Sequence, residues 1–318
     1  MRPEKALGFR GNMLGPVLET LIGGLLTGAL YALVALGFVL IFKASGVFNF
    51  AQGAMVLFAA LSVARLSEVM PLILAVAISV VIMIVLAYAI EFLVLRRLVN
   101  QEGIILFMAT LGIAYFLEGL GETIWGSNIY KINLGIPKEP MFFFESVFPG
   151  GLLIDREEVA AAAACGVLVA GLAIFFQVTR VGRALRAVAD DHQAAQSVGI
   201  PLNKIWLVVW AVSGIVAIAA GMIWGSKLGV QFSISLVALK ALPVLILGGL
   251  TSIPGAIVGG LIIGAGEKLA EVMLAPVLIR WFDLAGGGIE NWFAYVLALV
   301  FLLFRPQGLF GERIIERI

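Results

Sequence analysis

Five ionisable side chains interrupt runs that are otherwise apolar: Glu118, Glu122, Lys240, Glu267 and Lys268. A charge at membrane depth is costly, so such residues pair with one another, line a hydrated path or move ions. Lys240 lies within LVALKALPVLILGG and cannot face hydrocarbon cheaply. Glu267 is its first candidate partner, and the two could form a structural ion pair or touch solute directly. Glu122 and Lys268, with Lys43, are placed to reach an interface by snorkelling. Asn49 and Gln52, in the stretch GVFNFAQGA, stand three apart. On a helix both project from one face, where they could line or gate a pore or knit helices together. Glu118 and Glu267 could also couple transport to an ion gradient.

Other chemistry finds no support. The only histidine is His192 and the only cysteine Cys165, too few for a His/Cys metal site or a disulfide. No Gly-x-Ser-x-Gly elbow is present, so no catalytic residue is assigned. A phosphate-cradling loop requires a Gly-Lys step, and the chain contains none. It is therefore expected to bind no cofactor, and any ATP must be hydrolysed elsewhere.

The elements that hold these residues are read from hydropathy. The 318 residues are 62% hydrophobic and 13% charged, with a mean hydropathy of +1.09. A chain so poor in charge cannot cover itself with polar surface in water, but a bilayer accepts an apolar exterior. The net charge of +1 gives no basic field for nucleic acid. About 20 apolar residues cross a bilayer core, which predicts spans near 17–42, 47–64, 71–95, 103–121, 156–178, 205–225, 236–250, 255–275 and 291–304. The first run is too long for a secretory signal and reads as a span. The fold class is an all-α polytopic bundle of about eight to nine spans, with broken or re-entrant helices where Gly248, Gly249 and Pro254 interrupt the pattern. The whole chain, 1–318, reads as one transmembrane domain. Residues 122–155 form an external loop, 179–204 a charged cytoplasmic loop and 305–318 a cytoplasmic tail. Lys and Arg divide almost evenly between the two sides, so orientation rests on the charged loop.

Within that loop, alanine-rich 183–198 predicts one short amphipathic helix, stopped by Gly199 and Pro201. Arg186, Asp190, Gln193 and Ser197 share one face. Ala184, Val188, Ala195 and Val198 share the other, with Asp191 at its margin. Such a helix could dock into a partner or simply be a solvated loop helix. Closer packing is signalled by Gly24-x-x-x-Gly28, Gly255-x-x-x-Gly259 and Gly260-x-x-x-Gly264, which bring small residues onto one face.

These segments together resemble one family. GALYALVALGFVLIFKASGVFNFAQGAMVLFAA (28–60), RVGRALRAVADDHQAAQSVGI (180–200), ALKALPVLILGGLTSIPGAIVGGLIIGAGEKL (238–269) and RPQGLFG (305–311) are similar, in the same order, to permeases of the branched-chain amino acid ABC transporter family, the LivH type. Gln52 departs from a histidine common in relatives, and Arg97 from a proline. The resemblance implies a permease subunit of an ATP-driven importer in a bacterial or archaeal inner membrane, carrying branched-chain amino acids or related small polar solutes. It implies a second, homologous permease subunit in a heterodimer, two ABC ATPase subunits holding ATP and Mg, and an external solute-binding protein, all against membrane lipid. It makes 180–200 the coupling loop, with Arg183, Arg186, Asp190, Asp191, Ala194, Ala195 and Gly199 as the contacts to the ATPase.

Overall fold

The structure, a computed structural model, describes residues 14–99, 101–137, 139–143, 151–282 and 288–311. The first helix, α1 (Leu14–Ser45), is apolar on every side, and such a helix belongs in an interior rather than at a surface. Over its most apolar stretch it is 78% buried. α8 (Leu202–Leu228) is the second inner helix, at 67%. Around them stand α3 (Leu72–Leu93, continued by a 3-10 turn at Leu95–Arg97), α4 (Gly103–Trp125) and α5 (Arg156–Val178), which are only 28%, 22% and 22% buried. Their exposed Ile, Val, Leu, Phe and Tyr side chains form the apolar exterior that a bilayer solvates.

The remaining apolar helices are shorter or broken. α2 (Gln52–Ser67) and α11 (Ile289–Phe304) have 16 residues each. At 1.5 Å per residue each reaches about 24 Å, short of a ~30 Å hydrocarbon core. α9 (Val237–Gly248) and α10 (Ile253–Phe282) form one bent unit, with 114° between them across Gly249–Ser252. Among the described residues the expected eight to nine spans thus resolve into five long helices, one bent pair and two short helices, so that count is only approximate.

α1 and α10 cross in near backbone contact. A Cβ on Gly24 would lie 2.8 Å from Ala265 Cα, and one on Gly28 would lie 2.9 Å from Leu261 Cα and closer still to Gly260 O. Gly260 and Gly264 face back onto Gly28, so two of the small-residue motifs are the two halves of one crossing. The third serves the bend, because Gly255 and Gly259 abut Gly248 of α9. Dispersion between closely apposed backbones, rather than burial from water, stabilises helix pairs in lipid.

Two expectations need correction. Residues 183–198 are not one helix but two, α6 (Arg180–Asp190) and α7 (His192–Ser197). Asp191 is extended between them and its carboxylate accepts from the N–H groups of Gln193 and Ala194, at 2.8 and 3.0 Å, capping α7. Asn49 does not share a helical face with Gln52, since α2 begins only at Gln52 and Asn49 lies in the irregular stretch before it. Within the 122–155 loop lie two four-residue strands, β1 (Pro140–Phe143) and β2 (Leu152–Asp155), paired antiparallel with Met141 opposite Ile154. Residues 144–150 of that loop and the tail beyond 311 lie outside the described residues.

Candidate functional site

Asn49 and Gln52 are both fully buried. Gly46 at φ +70° turns the chain out of α1, and the Asn49 side chain accepts from Ala51 N–H at 3.0 Å, closing an Asx turn that starts α2. Gln52 reaches across to Ser213 of α8, with 2.7 Å between Oε1 and the hydroxyl, and packs so tightly on Gly37 that a Cβ there would overlap its amide. Of the unwound stretch, Asn49 and Ala51 are buried, Val47, Phe48 and Phe50 are half-buried and Gly46 is exposed, and irregular backbone in a membrane is tolerated where it lies against protein or lines a cavity. These two residues pin α1, α2 and α8 together and do not face an open cavity.

Lys240 and Glu267 do meet. Lys240 Nζ lies 3.1 Å from Glu267 Oε1, whose carboxylate also accepts from the Tyr31 hydroxyl at 3.3 Å. The pair extends outward, with Lys240 3.6 Å from Glu290 and Lys268 3.1 Å from Glu271 and 3.8 Å from Glu290. Two lysines among three carboxylates join α9, α10 and α11 and reach α1 through Tyr31. Glu267 is 3% exposed on its side chain, so its charge depends on these partners. Glu271, a near neighbour of Lys268 on α10, was not anticipated, nor were Tyr31 and Glu290. The last two come from elements far apart in sequence, and only a Glu at the start of an apolar helix hinted at Glu290.

Glu118 stands apart from that network. It is half-buried on α4 and opens into a cleft of about 220 Å³, lined also by Phe38, Phe48, Phe50, Tyr115 and Leu239. Phe48 stacks on Phe38 at 4.7 Å and meets Phe50 edge-on at 4.8 Å. The first turn of α2 closes the cleft beside Ser235 and Leu236, where a Cβ on Gly53 would lie 2.9 Å from the Ala238 methyl. α2 and α9 therefore both begin at this cleft.

At one end of the bundle, α6 and α7 lie against the helix ends. Leu185, Val188 and Ala195 are buried, so the small-residue face expected to receive a partner is already packed on the chain's own helices. Val198, assigned to the same face, is exposed. The outward side carries Arg183, Arg186, Asp190, Gln193 and Ala194. Arg186 anchors α6 by donating to Phe176 O at 2.7 Å, and Gly199 at φ +84° turns the chain into α8. Beneath α6 a second cleft, about 330 Å³, is bounded by Lys43, Phe176, Ser252, Pro254 and Phe310. It brings the α9–α10 bend and the last described residues to the same end of the molecule. There Leu309 N–H donates to Leu247 O at 2.8 Å and Phe310 N–H to Gly248 O at 3.1 Å.

Long apolar helices with an apolar exterior and an ion network among them define a multi-pass helical membrane protein. The chain belongs to the family of branched-chain amino acid transport system permease components, whose pattern matches residues 20–305. It is thus a permease component of a transport complex with other subunits, and not an enzyme. It is similar to the high-affinity branched-chain amino acid transport system permease protein BraD of Pseudomonas aeruginosa, at 28% identity over 95% of this chain and 98% of that one. It is also similar to LivH of Escherichia coli, at 25% over 95% and 97%. A probable branched-chain amino acid transport permease, LivH of Methanocaldococcus jannaschii, is 30% identical over 91% of each chain. Among solved structures, PsaBC from Streptococcus pneumoniae in complex with Fab shows a distant likeness, with a TM-score of 0.43 at 17% identity over 92% of this chain and 94% of that one.

Proposed function

We propose that this chain forms one half of the membrane pathway of an ATP-driven importer for branched-chain amino acids in a bacterial or archaeal inner membrane. The other half is a second, homologous permease subunit. An external solute-binding protein delivers the solute, and two ATPase subunits bind ATP and Mg and drive the cycle. Family membership over nearly the whole chain carries this reading, because relatives matched end to end are named for branched-chain amino acid transport.

The ATPases dock from the cytoplasm on α6 and α7. The contacts are the outward residues Arg183, Arg186, Asp190, Asp191, Ala194 and Gly199, while Ala195 supports them from beneath. ATP binds the ATPases differently in the two arrangements of the pathway, and that difference drives the switch. The ion-coupled alternative gains no support, since Glu267 is already held by Lys240 and Tyr31.

The test is co-purification from native membranes in mild detergent, followed by leucine uptake into vesicles with loaded binding protein. Two ATPases and a second permease should accompany the chain, and uptake should require ATP inside. Uptake that continues without ATP and collapses with a proton or sodium gradient would end this reading.

A further inference from the structure

The carboxylate of Glu118 makes no hydrogen bond or ion pair among the described residues, whereas Glu267, Glu271 and Glu290 are all engaged. It sits two turns before the end of α4, at the level where α4 packs on α2: Gly121 approaches Leu61 and Phe58. A bare carboxylate at such depth needs a cationic partner or water. What surrounds it is a cleft with phenyl walls. The opposite wall contains the first turns of α2 and α9; neither has a side-chain cap, but Ala238 and Leu239 of α9 donate back to Ser235 O and Leu236 O. A helix start bears partial positive charge, so the cleft is negative at Glu118, apolar along its aromatic wall and mildly positive where α2 begins.

We infer that this cleft is a solute subsite on the translocation path, where Glu118 receives the ammonium group of a zwitterionic aliphatic amino acid. The inference rests on the importer reading and adds to it a residue and a chemistry. The aromatic wall, with Phe48 and Phe50 half-buried, takes the branched side chain and offers ring faces to the ammonium. The start of α2, which has no side-chain cap, is compatible with the solute carboxylate rather than repelling it. At about 220 Å³ the cleft is smaller than the ~300–1,000 Å³ of sites for drug-sized ligands, which suits a single amino acid and not a peptide. A phosphate or a lipid headgroup fits poorly, because the one fixed charge facing the cleft is negative.

The experiment uses the assembled importer in vesicles, with leucine-loaded binding protein at saturation, and follows leucine uptake and ATP hydrolysis together. Glu118→Gln keeps the shape and loses the charge. It should cut uptake about tenfold, the scale of one charge-assisted hydrogen bond, while ATP hydrolysis stimulated by the loaded binding protein stays within about twofold. Glu118→Asp should recover most of the uptake, which a purely steric role would not predict. Equal uptake by wild type and Glu118→Gln overturns this inference alone. So does a parallel loss of uptake and stimulated hydrolysis in both variants, which marks a structural role. A wild-type importer that carries no leucine, or only uncharged solutes such as urea, overturns both this inference and the substrate proposed above.

Discussion

At the scale of single residues, charge inside an apolar chain was the most readable signal. Lys240 interrupts a run that offers it no water, so a carboxylate partner was required, and Glu267 supplies it at 3.1 Å. The polar pair Asn49 and Gln52 was legible as polar but not in its geometry. Spacing of three implies one helical face only if the helix is already present, and the Asx turn at Asn49 delays it to Gln52. The readable hint was Gly46 followed within three residues by Asn, a turn signature that the surrounding apolar residues obscured. Lys240→Met should strand a buried carboxylate and lower stability by about 3 kcal/mol, seen as a reduced unfolding midpoint in detergent. The double variant Lys240→Met with Glu267→Leu should regain most of that loss. If it remains as unstable as the single variant, the pair is not what holds α9 to α10.

Between elements, glycine pattern foretold close packing but not which helices would meet. Gly24 and Gly28 are in contact with Gly260 and Gly264 because both motifs place backbone at a surface without side chains. Gly24→Leu should therefore cost about 3 kcal/mol or more through overpacking, read as aggregation on size exclusion. Its neighbour Gly23 has nothing within 4 Å of a built Cβ. Gly23→Ala should leave stability unchanged or raise it by up to about 1 kcal/mol, since glycine is entropically costly in a helix. Equal effects at both positions would mean that α1 does not cross α10 there. In the 180–199 segment, alanine content argued for one helix, yet the paired aspartates contained the cap that divides it. Asp191 satisfies the first N–H groups of α7, and the break turns Ala195 inward. Ala195→Arg should consequently reduce the amount of folded protein. Ala194→Arg, on the outward side, should leave folding intact and lower ATP-dependent uptake at least about tenfold if this surface grips the ATPase. Full uptake by the Ala194 variant would remove α7 from the docking surface.

For the whole molecule, membrane residence followed from composition and helical class from the length of the apolar runs, whereas the number of crossings was legible only approximately. Short α2, α9 and α11 each lack the length that a hydropathy rule counts, and irregular backbone completes their paths only because neighbouring helices shield it. Sidedness can be measured directly. α8 runs from the α7 end to the Tyr130–Val230 bridge at the opposite end, so cysteines replacing Lys131 and Gln193 should react with an impermeant maleimide from opposite sides of sealed vesicles. Native Cys165 is buried and should stay silent. Labelling of both from one side would contradict the arrangement. The stitch between 309–310 and 247–248 has a bearing on how such a protein tolerates change. It is sewn with main-chain atoms, so side chains at Leu309 and Phe310 can change without undoing it, whereas Gly308 and Gly311 cannot, because a Cβ there would press on the backbone of Gly249 and Gln307. A premature stop or a proline at Leu309 or Phe310 removes the thread itself, leaving the elbow of the last hairpin unfastened beside the surface where force would enter.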